Sequence, residues 1–191
     1  MNKPLYLFVG KSSSGKTTIA EKLVESNGYK QVYSYTTRPP RYDGEIGHEF
    51  IDDETFDNLS ELVAYTEYNG SRYGTTAEQL DQCSIFVVDV PGVETLLQNY
   101  KTNRPITIIY FDSTVRTRIN RMLGRGDSEA NIIARLLQDE KDDWYKQLDS
   151  LAWKSVNLKN RIVDLYKVDA NKNLVEVMEQ VLYYMNRHME V

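Results

Sequence analysis

The chain has 191 residues, 41% of them hydrophobic and 27% charged, with 23 basic against 28 acidic residues for a net charge of -5. That length fits a single compact domain that can bury its own core, and the acidic balance excludes a broad electrostatic surface for nucleic acid, so any anion site must be a local basic pocket. One cysteine, Cys83, excludes an intramolecular disulfide and a cysteine-based zinc cluster. No apolar stretch approaches the ~20 residues needed to cross a bilayer, and the N-terminal apolar run is too short for a signal-peptide core. A cytoplasmic enzyme, monomeric or homodimeric and away from membranes, is expected.

Leu5-Tyr6-Leu7-Phe8-Val9 reads as a short strand buried on both faces, as in a parallel sheet. A glycine-rich turn follows, then a helix from about Gly15 to Asn27 with Ile19, Ala20, Leu23 and Val24 on one face, stopped by Asn27-Gly28. Residues 34–84 break this rhythm with a polar Thr-Thr-Arg-Pro-Pro-Arg run and an alternating stretch from Val63 to Tyr68, which predicts a small β-containing insertion. Ile85 to Val90 reads as a second buried strand closed by Pro91-Gly92. A helix with Val93, Leu96, Leu97 and Tyr100 on one face comes next, and Ile106 to Phe111 is a third strand. Residues 116–141 are arginine-rich and turn into a helix that Asp127 or Ser128 would cap. The final helix carries Leu174, Val177, Met178, Val181, Leu182 and Met185. Strands alternating with helices predict an α/β fold with a parallel sheet and right-handed crossovers. The expected division is a core of 1–33, 85–115 and 142–191, a lobe of 34–84 and a helical segment of 116–141.

The turn after the first strand, Gly10-Lys11-Ser12-Ser13-Ser14-Gly15-Lys16-Thr17, fits G-x-x-x-x-G-K-[ST] in the required context of strand before and helix after. Gly10 and Gly15 permit turns that aim backbone N–H groups of Ser12, Ser13, Ser14 and their neighbours inward, and the helix N-terminus through Thr18 adds its dipole. Lys16 is expected to reach the outer phosphates of ATP, and the Thr17 hydroxyl to ligate Mg²⁺. Asp89 ends an apolar strand on the side where α/β sheets bind ligands. It is expected either to support the metal through water or to accept hydrogen bonds from a second substrate.

Further motifs carry a family resemblance. Ser34-Tyr35-Thr36-Thr37-Arg38-Pro39-Pro40-Arg41, followed by Gly44-Glu45 and Gly47, resembles the nucleotide-monophosphate signature of guanylate kinases. Asn69-Gly70-Ser71-Arg72-Tyr73-Gly74-Thr75 resembles their glycine turn, and the Asp89 strand and the arginines 118, 121, 125 and 135 match in order and spacing. The resemblance spans about Leu5 to Asp139. It implies a P-loop core, an acceptor-binding lobe and a helical lid closing over both substrates. It further implies that Ser34, Arg38, Arg41, His48, Tyr73, Thr75 and Asp89 bind the acceptor monophosphate, while Lys16, Arg121, Arg125 and Arg135 act in catalysis. Planar guanidinium groups suit a dianionic acceptor. Arginines spaced three and four apart on one helix face repel unless an anion sits among them, as transferring phosphoryl oxygens would.

The chain departs from the family where the base is read. The usual guanine-reading glutamate position is Ala64, which cannot accept the N–H donors of the base, and Glu67, three residues along an extended strand, should face the other way unless a bulge rotates it back. A tyrosine of the family is replaced by His48, or by Phe50 if the gap falls differently, and Asp169 stands for the asparagine near the adenine. The leading expectation is transfer from ATP–Mg²⁺ to (d)GMP. A second reading keeps the fold and donor but changes the acceptor to another nucleotide or a ribose bisphosphate. A third, a non-catalytic binding module, expects a damaged phosphate loop, whereas this loop is complete.

Overall fold

The computed structural model describes residues 3–40, 43–68, 70–140, 143–159 and 163–187. Strands β1 (Leu5–Val9), β6 (Ile85–Val87), β7 (Ile106–Asp112) and β8 (Val163–Asp169) form a fully parallel sheet in the order β6-β1-β7-β8. Every residue of β1 is buried, as a central strand covered on both faces requires. Its side chains alternate. Leu5, Leu7 and Val9 pack beneath α4 (Val90–Asn99) and α7 (Trp144–Lys159), through Val93, Leu96, Leu97 and Leu148. Tyr6 and Phe8 pack beneath α1 (Lys16–Asn27) and α8 (Leu174–Asn186), through Ile19, Leu23, Val177 and Val181. The α/β class expected from the alternation of elements is therefore the observed one. No helix among the described residues is long and apolar enough to cross a membrane.

Residues 34–84 build a second sheet from β2 (Ser34–Thr36), β3 (His48–Phe50), β4 (Leu62–Tyr68) and β5 (Ser71–Thr76), ordered β3-β2-β5-β4, with the short helices α2 (Asp53–Asp57) and α3 (Ala77–Gln82). β4 and β5 pair antiparallel across a turn in which Gly70 has φ 73°. Residues 115–139 form a helical pair, α5 (Val115–Gly124) and α6 (Glu129–Asp139), with Ser128 capping α6 through the Asn131 N–H.

One boundary differs from the sequence expectation. The apolar run Ile85 to Val90 is not one strand: β6 stops at Val87, and α4 begins at Val90. The Asp89 side chain accepts from the Gly92 N–H at 2.9 Å and starts the helix, with Pro91 in its first turn. Val88 and Val90 are buried either way, so apolar periodicity could not separate a strand end from a helix start.

Candidate functional site

The phosphate loop leaves the carboxyl end of β1 and enters α1. Gly10 is required by space: a Cβ there would stand 2.8 Å from the Phe111 carbonyl oxygen and 2.9 Å from Ser14 Oγ. Gly15 is required by conformation, since at φ 100° it caps α1 where a side chain would be strained. Ser13 also adopts a left-handed conformation, φ 61°, and Ser14 is buried. Lys16 folds back against the loop, donating to the Gly10 carbonyl at 2.5 Å, the Lys11 carbonyl at 3.0 Å and Ser14 Oγ at 3.3 Å. Burial of its ammonium lowers its pKa to about 8, against the opposing pull of Asp139 and Asp89.

Two cavities meet at Lys16. One, of about 500 Å³, is lined by Ser13, Ser14, Gly15, Thr17 and Thr18 of the loop and by Arg121, Arg125 and Asn173. Arg121 reaches it from α5, donating to the Ser14 carbonyl at 2.9 Å and the Ala170 carbonyl at 2.7 Å. Arg125 donates to Ser13 Oγ at 2.8 Å and to Asp127 at 2.7 Å. The other cavity, of about 330 Å³, lies between the two sheets and includes Gly10, Ser12, Ser34, His48, Tyr73, Thr75 and Asp89 among its lining residues. Both volumes are in the range of small-molecule sites.

In the second cavity, Thr75 is fully buried and its hydroxyl has no partner among the described residues, an open donor and acceptor. The Asp89 carboxylate accepts from the Thr66 hydroxyl at 2.9 Å as well as from Gly92, and burial raises its pKa against those two bonds. The His48 ring stands edge-on to Tyr73 at 5.5 Å, while Phe50 lies under the Arg38 guanidinium at 5.3 Å. Ala64 is buried in the wall of the same cavity. The Tyr65 hydroxyl donates to the Glu67 carboxylate at 2.5 Å. Strand alternation puts these two side chains on the face opposite to Ala64 and Thr66, yet Tyr65 and Glu67 border the same cavity. The irregularity in β4 falls between Leu62 and Ala64, so it does not rotate Glu67 toward Ala64.

The remaining residues fall outside these linings. Arg38 forms a two-pronged pair with Glu45, at 2.9 and 3.2 Å, and touches Tyr73 electrostatically. Arg135 is half-buried and acts on the Tyr68 hydroxyl, whose pKa burial raises. Arg41 lies outside the described residues. Arg118 shares the α5 face expected from its spacing but is buried against Asp139 instead of lining either cavity. Asp169 orders its neighbour Asn171 through a bond of 2.9 Å to the Asn171 side chain. The sequence reading missed Thr66, Tyr68, Asp139, Trp144 and Gln147 in the second cavity. Thr66 could have been found, since it sits two residues beyond Ala64 on the same strand face.

A Mg²⁺ ion bound through nucleotide phosphates fits this arrangement. Thr17 is exposed in the first cavity, and such ions take few protein ligands and keep water and phosphate oxygens. Each Asp89 oxygen accepts one hydrogen bond, from the Gly92 N–H and from the Thr66 hydroxyl, and keeps a second lone pair.

Comparison with known proteins agrees with this geometry. The family model described as guanylate kinase matches residues 2–156. The guanylate kinase of Thermobifida fusca is 30% identical over 153 residues, covering 71% of this chain and 74% of that protein. The guanylate kinase of Neisseria meningitidis is 28% identical over 152 residues, covering 73% of each. In fold, the crystal structure of guanylate kinase from Anaplasma phagocytophilum covers 98% of this chain and 87% of its own, with a TM-score of 0.56 at 18% identity.

Proposed function

This chain belongs to the guanylate kinase family, and from that premise we propose that it transfers the terminal phosphoryl group of ATP to GMP or dGMP, giving ADP and the diphosphate. The observation that carries the reading is the meeting of two cavities at one ammonium: Lys16 lines both the space on the phosphate loop and the space between the sheets. A donor triphosphate on the loop and an acceptor on the second sheet would therefore face each other across Lys16.

The acceptor phosphate is already an oxyanion, so no general base is needed. One of its oxygens attacks the γ-phosphorus while the bond from that phosphorus to the β–γ bridging oxygen breaks, and ADP leaves. Negative charge spreads over the transferring oxygens, and catalysis is positioning plus charge stabilisation. Lys16 neutralises that charge from below the loop. Arg121 and Arg125 enter from α5 on the donor side, and Arg135 comes from α6 on the acceptor side. We assign α5 and α6 as the lid and residues 34–84 as the acceptor lobe, with Arg38, Arg41, Tyr73 and His48 holding the acceptor phosphate. Ser34, Thr75 and Asp89 face the base, and the open Thr75 hydroxyl suits a carbonyl on it. Thr17 would hold Mg²⁺, which supplies charge neutralisation between the outer phosphates when bound. A cytoplasmic setting, where both nucleotides are at hand, fits this reading.

Ala64 favours one qualification: the wall position that would read the guanine N–H edge is apolar here, although Thr66 and Glu67 also line the cavity, so the base is held by fewer polar groups than its edge offers. The test of transfer itself is direct. ATP, Mg²⁺ and GMP incubated with the protein should give ADP and GDP in equal amounts by chromatography. ATP consumption without GDP would contradict the proposal.

A further inference from the structure

Arg118, Arg121 and Arg125 share one face of α5, yet only the last two reach the donor side of the loop. Arg118 is 1% exposed, and its Nη1 donates to Asp139 Oδ2 at 3.0 Å. Its Nη2 bonds Glu140, and its buried Nε has no partner among the described residues. Asp139, the last residue of α6, is also 1% exposed. Its Oδ2 accepts from the backbone N–H of Ser12 at 2.7 Å and its Oδ1 from Ser12 Oγ at 3.2 Å, while Glu140 accepts from Lys11 Nζ at 2.8 Å. Three side chains, Arg118, Asp139 and Glu140, thus tie the end of α6 and the middle of α5 to two consecutive residues of the phosphate loop, Lys11 and Ser12.

Two features mark Asp139 as more than a structural acid. A carboxylate at a helix C-terminus opposes the helix dipole, so α6 gains nothing from an acid there. Its partner, an inward N–H of a phosphate loop, belongs to the type of donor that takes phosphate oxygens. Asp139 also lines the cavity between the sheets together with Ser12 and Lys16, where the two substrates would meet. A carboxylate and a phosphate cannot share that position, because like charges a few ångströms apart repel strongly in a partly dry site.

We propose that Asp139 is an internal stand-in for the terminal phosphate of the bound triphosphate: it occupies the Ser12 N–H and holds Arg118 in reserve, and the incoming phosphate displaces it and takes both. Because Asp139 ends α6, the exchange couples triphosphate occupancy to the helix that carries Arg135. The inference rests on ATP being the donor. It predicts discrimination between ATP and ADP by a residue outside the loop, since ADP lacks the phosphate that competes with Asp139.

The experiment is calorimetric titration of ATP and of ADP, each with Mg²⁺ and without acceptor, into the wild-type chain, Asp139→Asn and the double variant Arg118→Met/Asp139→Leu. The asparagine keeps the shape, its amide oxygen can still accept from the Ser12 N–H and Arg118, and its NH2 can donate to Ser12 Oγ in place of accepting from it. The double variant replaces a buried ion pair with apolar residues of similar size, a change that folded proteins tolerate. Asp139→Asn should tighten ATP roughly five- to tenfold and leave ADP within about twofold. The double variant should bind ATP more weakly than Asp139→Asn, because Arg118 is no longer there to receive the phosphate. Equal shifts for ATP and ADP, or weaker ATP binding in Asp139→Asn, would overturn the competition. ATP binding in the double variant as tight as in Asp139→Asn would overturn the role of Arg118. Wild-type protein that bound neither nucleotide would overturn the donor reading and this inference together.

Discussion

The two cavities that meet at Lys16 are built in different ways. In the proposed reading the donor side rests on one contiguous run, Ser13 to Thr18, whose backbone N–H groups and helix N-terminus would do the binding, with two arginines brought in from α5. Its side chains could vary at several positions without changing the shape of the loop. The acceptor side is assembled from the loop, β2 to β5, the start of α4, the end of α6 and α7, and its selectivity depends on which side chain stands at each wall position. A site made of backbone survives sequence drift, whereas a wall made of side chains changes with a single substitution. Ala64 beside an intact phosphate loop is that difference within one molecule.

The contrast can be broken most severely at the shared residue. Lys16→Ala should lower kcat by roughly 10³-fold or more, because it removes the one cation among the described residues that lines both cavities. Circular dichroism melting should hardly change, since relief of a buried ammonium offsets the lost bonds to Gly10 and Lys11. A variant retaining a tenth of wild-type turnover would show that the two cavities do not work as one site.

A second effect follows from the lowered pKa of Lys16. In the free protein burial holds it at about 8 instead of 10.5, so its ammonium is charged below that pH and lost above it. Since kcat/KM reports groups of the free enzyme, kcat/KM for ATP should be level up to about pH 8. It should then fall about tenfold per pH unit beyond. The profile of kcat should bend at higher pH, because bound phosphate favours the charged form. A kcat/KM that stayed level to pH 10 would place the ammonium in water instead of under the loop.

The acceptor side should respond in KM. Arg38 is pinned by Glu45 and faces Tyr73, so Arg38→Ala should raise the KM for GMP by about tenfold with a smaller change in kcat. An unchanged KM would move the acceptor phosphate away from the second sheet.

What was legible in the sequence follows the same division. The phosphate loop, the helix after it and the α/β class could be read because periodicity and glycine placement are local signals. Ser34, His48, Tyr73, Thr75 and Asp89 could be placed in one cavity only through motifs spread over the chain, and Asp89 proved to cap α4 as well as to face the cavity. Trp144 and Gln147 were not legible, since α7 follows a run of charged residues and buries little beyond Leu148 and Ala152 among its described side chains. Asp139 was hidden for another reason: its partners Ser12 and Arg118 lie 127 and 21 residues away, and nothing local in a helix-ending acid points to either.

The central claim, a complete phosphate-handling site joined to a weakened base-reading wall, is tested most directly by one ratio. The quantity is kcat/KM for GMP divided by kcat/KM for AMP, with ATP–Mg²⁺ saturating and dGMP, UMP and CMP measured alongside. The account predicts GMP or dGMP as the best acceptor with a margin of roughly 10² or less, as expected when few polar groups read the base. A margin of about 10⁴ to 10⁵, the discrimination of a fully hydrogen-bonded base site, would contradict it. So would the absence of transfer to every acceptor.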